Sequence, residues 1–168
     1  MAVHAIETHY AGCRFRSRLE ARWAVALDHM SIDWEFEPQG YDLPSGRYLP
    51  DFRISTGRRD VPQFYVEVKG GMPDTREFTV ASEINLYVAP LVIFSGDIPR
   101  QRGAGTAWIM QGQEPGEVIW TMTDPEQAML RTVYPVVGDV RRPETFGRVY
   151  DEALTAARSA RFEHGEKG

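Results

Sequence analysis

The segment Phe64-Tyr65-Val66-Glu67-Val68-Lys69, closed by Gly70-Gly71, constrains this chain most. Side chains alternate across a β-strand, so Phe64, Val66 and Val68 fall on one side and Tyr65, Glu67 and Lys69 on the other. Upstream, Leu49-Pro50-Asp51-Phe52-Arg53-Ile54 reads the same way, with Phe52 and Ile54 opposite Asp51 and Arg53. If the two strands pair with their apolar faces together on a core, Asp51, Glu67 and Lys69 converge on one polar surface. Two carboxylates beside a lysine suit a hard divalent cation and an oriented water, the chemistry that phosphodiester hydrolysis requires.

The rest of the chain supplies a frame for such strands. Ser17 to about Met30 reads as a helix, because Leu19, Trp23, Ala26 or Leu27, and Met30 recur at helical spacing. Glu20 lies at the edge of that stripe. Trp34 to Glu37 alternates like a strand and ends at Pro38, and Tyr41 to Gly46 reads as a turn-rich connection with Pro44-Ser45-Gly46 at its tip. The aspartate strand is predicted over Arg47 to Ile54, then a polar loop from Ser55 to Pro62, then the Glu-x-Lys strand over Gln63 to Lys69. Asp74 to about Tyr87 is a helix whose Asp74 and Glu77 have capping-box spacing. Leu91-Val92-Ile93-Phe94 has the unbroken apolar character of a central strand covered on both faces. Further on, Ala107 to Met110 and Val118 to Met122 flank Gly112-Gln113-Glu114-Pro115-Gly116 as a hairpin. Asp124-Pro125 can start a short helix, Glu144 to about Phe162 reads as a final one, and His164 to Gly168 as a frayed polar tail. The fold class expected is α/β, a mixed sheet flanked by helices. One domain is expected: residues 1–13 as an N-terminal arm, 14–100 as the core, and 101–168 as a C-terminal extension of hairpin plus helix packed on it.

Composition narrows the function classes. With 4 Trp, 7 Tyr and 8 Phe there is material for a real core, and a single cysteine, Cys13, excludes an internal disulfide framework and a cysteine-based zinc site. His4, His9, His29 and His164 have no ligand spacing, and no P-loop motif is present. No signal-like or membrane-spanning apolar run occurs, so a soluble, cytoplasmic protein is expected. The net charge of −5 is unlike a generic nucleic-acid binder. The arginines are nonetheless clustered: Arg14, Arg16, Arg18 and Arg22 surround the first helix, and Arg58, Arg59, Arg100, Arg102, Arg141, Arg142 and Arg148 follow. Each is equally well read as a phosphate contact or as ordinary surface charge.

Pro50-Asp51 followed by Glu67-Val68-Lys69, with Glu20 on a preceding helix, resembles the PD-(D/E)XK nuclease superfamily, whose fold is restriction-endonuclease-like. The resemblance covers roughly Tyr10 to Pro99. It implies that Asp51 and Glu67 ligate Mg²⁺, for which Mn²⁺ substitutes, with the Val68 backbone carbonyl as a third ligand. It implies that Lys69 positions or helps deprotonate the attacking water and stabilises transition-state charge. Glu20 would complete the shell, although Ser17-x-x-Glu20 is also a capping box that needs no catalysis. Glu35 and Glu37, two apart on one strand, are alternative acids for that place. Small phage-type Holliday-junction resolvases and the endonuclease subunits of heteromeric transposases are similar in size and motif order. The first implies a DNA-cutting homodimer and the second a partner protein that supplies the DNA grip. A non-catalytic binding module with a nuclease-like fold stands as the rival reading. Trp108 and Trp120 can stack on unpaired bases or pack a core, and the hairpin setting favours packing.

Overall fold

The computed structural model describes residues 7–56, 62–111, 118–132 and 143–162. Arg58, Arg59, Arg141, Arg142, His4, His164, the 112–116 turn and the polar tail lie outside the described residues.

A six-stranded mixed sheet organises the molecule. Its strands are β3 (Trp34–Phe36), β6 (Phe52–Ser55), β7 (Gln63–Lys69), β8 (Leu91–Ser95), β9 (Thr106–Gln111) and β10 (Ile119–Thr123), in the spatial order β10-β9-β8-β7-β6-β3. Only β7 and β8 run parallel. The helix α2 (Thr75–Tyr87) crosses between them, as a parallel pair requires. Its capping box is complete, because Asp74 accepts from the Glu77 N–H and Glu77 accepts from the Asp74 N–H, each at 2.8 Å. Asn85 fixes the return, with its side-chain amide accepting from the Leu91 N–H at 3.0 Å and donating to the Leu91 carbonyl at 3.3 Å.

The sheet is covered on both faces, as the apolar run at Leu91 to Phe94 predicts. Val66, Val68, Val92 and Phe94 join Phe52, Ile54 and Phe64 in the larger core, against α1 (Arg18–His29) and α4 (Pro143–Ser159). Trp23 packs on Phe94 with ring centroids 4.4 Å apart and planes tilted by 36°. Tyr65, Leu91 and Ile93 face the other way, against Ala81 and Ile84 of α2. Trp108 and Trp120 close that second core around Phe78, each 5.3 Å from its ring, and their indole N–H groups donate to Ser95 and Ser82. These tryptophans are packing residues. The strand β9 continues the sheet from β8, α3 (Pro125–Thr132) follows β10, and α4 lies along α1. Residues beyond 100 therefore share one core with those before.

Three expectations need correction. The first thirteen residues are not simply an arm, because β1 (Thr8–Tyr10) pairs with β2 (Cys13–Phe15). Ala11 and Gly12 form a two-residue turn with φ of 48° and 78°, the conformation that suits a tight hairpin. The connection from Tyr41 to Gly46 is not only a turn, because β4 (Tyr41–Leu43) pairs with β5 (Gly46–Tyr48) as a hairpin over the second core. The aspartate strand is broken between Tyr48 and Phe52. Pro50 has no N–H to give a ladder, so Asp51 sits in the break.

Candidate active site

The break delivers Asp51 to the carboxyl end of β7. Phe52 pairs with Val66, so Asp51 stands beside the next rungs, Glu67 and Val68. The Val68 N–H donates to Asp51 Oδ2 at 2.8 Å, where a strand partner would otherwise accept it. The Asp51 N–H in turn donates to Glu67 Oε2 at 3.3 Å. The N–H and C=O of one strand residue point to the same edge. The Val68 carbonyl therefore faces the Asp51 side of β7, as the expected third ligand must.

Both acids are removed from water, Asp51 2% and Glu67 4% exposed, and each oxygen meets a donor. Arg16 Nη2 lies 2.8 Å from Asp51 Oδ1, and Lys69 Nζ 2.8 Å from Glu67 Oε1. The Tyr48 hydroxyl donates to Glu67 Oε2 at 2.6 Å. Burial, the Glu67 charge and, more weakly, Glu20 hold the Asp51 carboxyl well above the usual carboxylate range, against the Val68 N–H and Arg16, which pull it down. Burial and the neighbouring Glu67 charge likewise push the Tyr48 hydroxyl up, so it remains a donor. For Lys69, desolvation acts to lower the pKa, but the charge and hydrogen bond of Glu67, joined by those of Glu77, outweigh it and raise it. Glu77 Oε1 is 3.0 Å from Lys69 Nζ, so the capping glutamate of α2 also steers the lysine.

The expected residues do not all meet. Arg16 is not a free cation, although its side chain is 59% exposed. It bridges Asp51 and Glu37, whose Oε1 lies 2.7 Å from Arg16 Nε. Glu37 comes to the site because its backbone turns at φ 45° after β3, while its N–H donates to the Asp51 carbonyl at 2.8 Å. Glu35 instead pairs with Arg53, away from the site. Arg14 pairs with Glu7 in solvent, and Arg18 and Arg22 point elsewhere. Glu20 is buried at the start of α1. Its Oε2 accepts from the Arg16 N–H at 3.0 Å and its Oε1 from the Ser17 hydroxyl at 2.8 Å. Ser17 caps α1 as the box expects, its Oγ accepting from the Glu20 N–H at 3.2 Å, but the glutamate's return bond goes to the Arg16 N–H, one residue earlier, and this fixes the turn that aims Arg16. Tyr48 and the second role of Glu77 were not legible, because a hydroxyl on a three-residue strand and a cap glutamate give no catalytic spacing.

The donor set fits a hard divalent cation. Two neighbouring buried carboxylates, one with its ionised form disfavoured by burial and the other's charge, gain from a shared positive charge, and the Val68 carbonyl adds a neutral oxygen. Water would fill the remaining positions, because among the described residues no group of three or more His, Cys, Asp or Glu side chains is placed to hold a metal ion. Arg16 occupies the electrostatic role of such a cation against Asp51. Comparison with protein-family models, curated proteins and solved structures returned no match. Among the described residues no helix is long and apolar enough to cross a membrane.

Proposed function

We propose that this chain is a Mg²⁺-dependent endonuclease of restriction-endonuclease-like fold that hydrolyses phosphodiester bonds in DNA. The observation that carries the reading is the convergence of Asp51, Glu67 and Lys69 at one end of β7, in the motif order of the PD-(D/E)XK superfamily. Asp51 and Glu67 would hold Mg²⁺ or Mn²⁺ with the Val68 carbonyl, and the metal supplies an acidified water and a counter-charge for the phosphate. Lys69 stays an ammonium between Glu67 and Glu77. It is therefore a poor proton acceptor, and its work is to orient the water and offset charge on the phosphate oxygens. Tyr48 holds Glu67 in place from the hairpin side. Glu20 holds the Arg16 turn from the helix side, as a positioning residue. The bond from the water oxygen to phosphorus would form as the P–O3′ bond breaks in line, with the attacking water giving up its proton to solvent and the departing oxygen taking one from solvent.

Cleavage of supercoiled plasmid, linear duplex, single strand and a four-way junction, with Mg²⁺ or Mn²⁺, tests the proposal. Asp51→Asn and Lys69→Met each reduce cutting by about 10²–10³-fold or more while circular dichroism shows the fold retained. Cutting that survives both substitutions defeats the site assignment. Preference for the junction selects a resolvase, which as a symmetric cutter is a homodimer. Cutting only after a second protein is added selects a subunit of a larger complex.

A further inference from the structure

At the same end of the sheet, on the α1 and α4 side, Arg18, Arg22, Arg158 and Arg161 line a cavity of about 490 Å³ with Ser159 and Phe162. Its position is fixed by the loop that leaves β8. Gly96 in that loop donates its N–H to the Lys69 carbonyl at 2.8 Å. Asp97 Oδ1 lies 3.6 Å from Arg22 Nη1, and the Pro99 carbonyl accepts from Arg158 Nη1. Three residues of one loop thus tie the lysine end of β7 to two of the cavity's arginines.

Among the described residues, Arg22, Arg158 and Arg161 of this lining meet little compensating charge. Among the described residues Arg158 bonds neutral oxygens, those of Pro99 and Thr155. Arg22 makes a long contact, to an Asp97 side chain that is itself 78% exposed. The buried Arg22 Nε finds no hydrogen-bond partner among the described residues. Arg161 is exposed at the cavity mouth. In a chain of net charge −5, four guanidinium groups lining one opening are a local concentration of cationic side chains. Guanidinium forks match phosphate oxygens bidentately, and clustered arginines beside an open groove are the footprint of a polyphosphate backbone.

We infer that this four-arginine cavity grips the phosphodiester backbone of the nucleic acid, positioning it across the sheet end that carries Lys69. The purpose of the grip rests on the nuclease reading, but the grip itself is measurable without cleavage. The experiment is fluorescence anisotropy of a labelled short duplex DNA in EDTA, titrated with the full chain over a series of NaCl concentrations. Arg161→Glu is the main variant because its exposed side chain supports no described contact, and Arg158→Gln is the second. Affinity falls by about 10-fold in Arg161→Glu, and the slope of log affinity against log salt decreases by about one phosphate contact in either variant. Equal affinity and slope in wild type and both variants overturn the inference, as does the absence of any duplex binding by wild type. Equal competition by polyglutamate also overturns it, by pointing to an acidic protein partner. If cleavage is seen but Arg161→Glu binds normally, the grip fails and the nuclease reading stands. If binding depends on Arg161 but no substrate is cut, the reverse holds.

Discussion

On one face of β7, Phe64, Val66 and Val68 pack into the larger core, and on the other Tyr65 and Glu67 are excluded from water just as thoroughly, Val66 at 1% and Glu67 at 4% exposure. The two faces of one strand have opposite energetics. Burying a large apolar side chain contributes roughly 1.5–3 kcal/mol. Burying a carboxylate costs free energy unless its oxygens are bonded, and even then a buried ion pair is weak support for a fold. The apolar face is therefore where stability resides. The acid face is a tolerated expense, kept level by Arg16, Lys69, Tyr48 and two backbone N–H groups. That asymmetry is what the proposed site requires of the strand.

Substitutions on the two faces should separate accordingly. The largest effect on stability belongs to Phe64→Ala, which removes a ring from the larger core and should cost about 3–5 kcal/mol in urea unfolding. It should leave the specific activity of the folded fraction near wild type. A cost below about 1 kcal/mol would mean that the apolar face does not anchor the sheet. On the acid face, Tyr48→Phe removes only the hydroxyl that holds Glu67. It should lower metal affinity or turnover by about 10–100-fold with little change in the unfolding midpoint. Unchanged activity would remove Tyr48 from the site. The smallest effect is a pH slope. The folded Asp51 carboxyl sits above its unfolded value, so it favours the native state at low pH and that contribution is lost as pH rises through the folded pKa. Without divalent metal, the melting temperature should therefore fall across the window from about pH 4, the ordinary carboxylate value, up to the raised Asp51 value. The component due to Asp51 should vanish in Asp51→Asn and shrink when Mg²⁺ is added. A slope identical in wild type and Asp51→Asn would show that the acid pair is not strained.

What could be read in advance divides along the range of the interactions. The strand period at Gln63 to Lys69, the capping box at Asp74 and the stripe through Trp23 and Met30 are local patterns, and the structure has them. The paired hairpin from Tyr41 to Tyr48 was missed because three-residue strands carry too few residues for a period. Yet that hairpin is what covers Glu67. The turn at Ala11-Gly12 was missed because alanine is an uncommon residue at positive φ. The break at Pro50 had a visible cause in the missing proline N–H, but a continuous strand through Asp51 fitted the alternation better. Within the site, the approach of Asp51 to Glu67 followed from alternation and pairing. The bridging of Asp51 and Glu37 by Arg16 spans 35 residues to Asp51 and depends on a turn held by Glu20, so no spacing rule announces it.

Asp51 also serves the sheet. Its carboxylate accepts the Val68 N–H that the broken strand leaves without a rung. Most replacements at position 51 would strip away the acid and orphan a buried amide at once. On the proposed reading, the route by which such an enzyme would decay into an inert but well-folded relative is therefore narrow here. Asparagine, which still offers an oxygen, is the conservative step along it. Under mutation, order and chemistry at this position are inherited together.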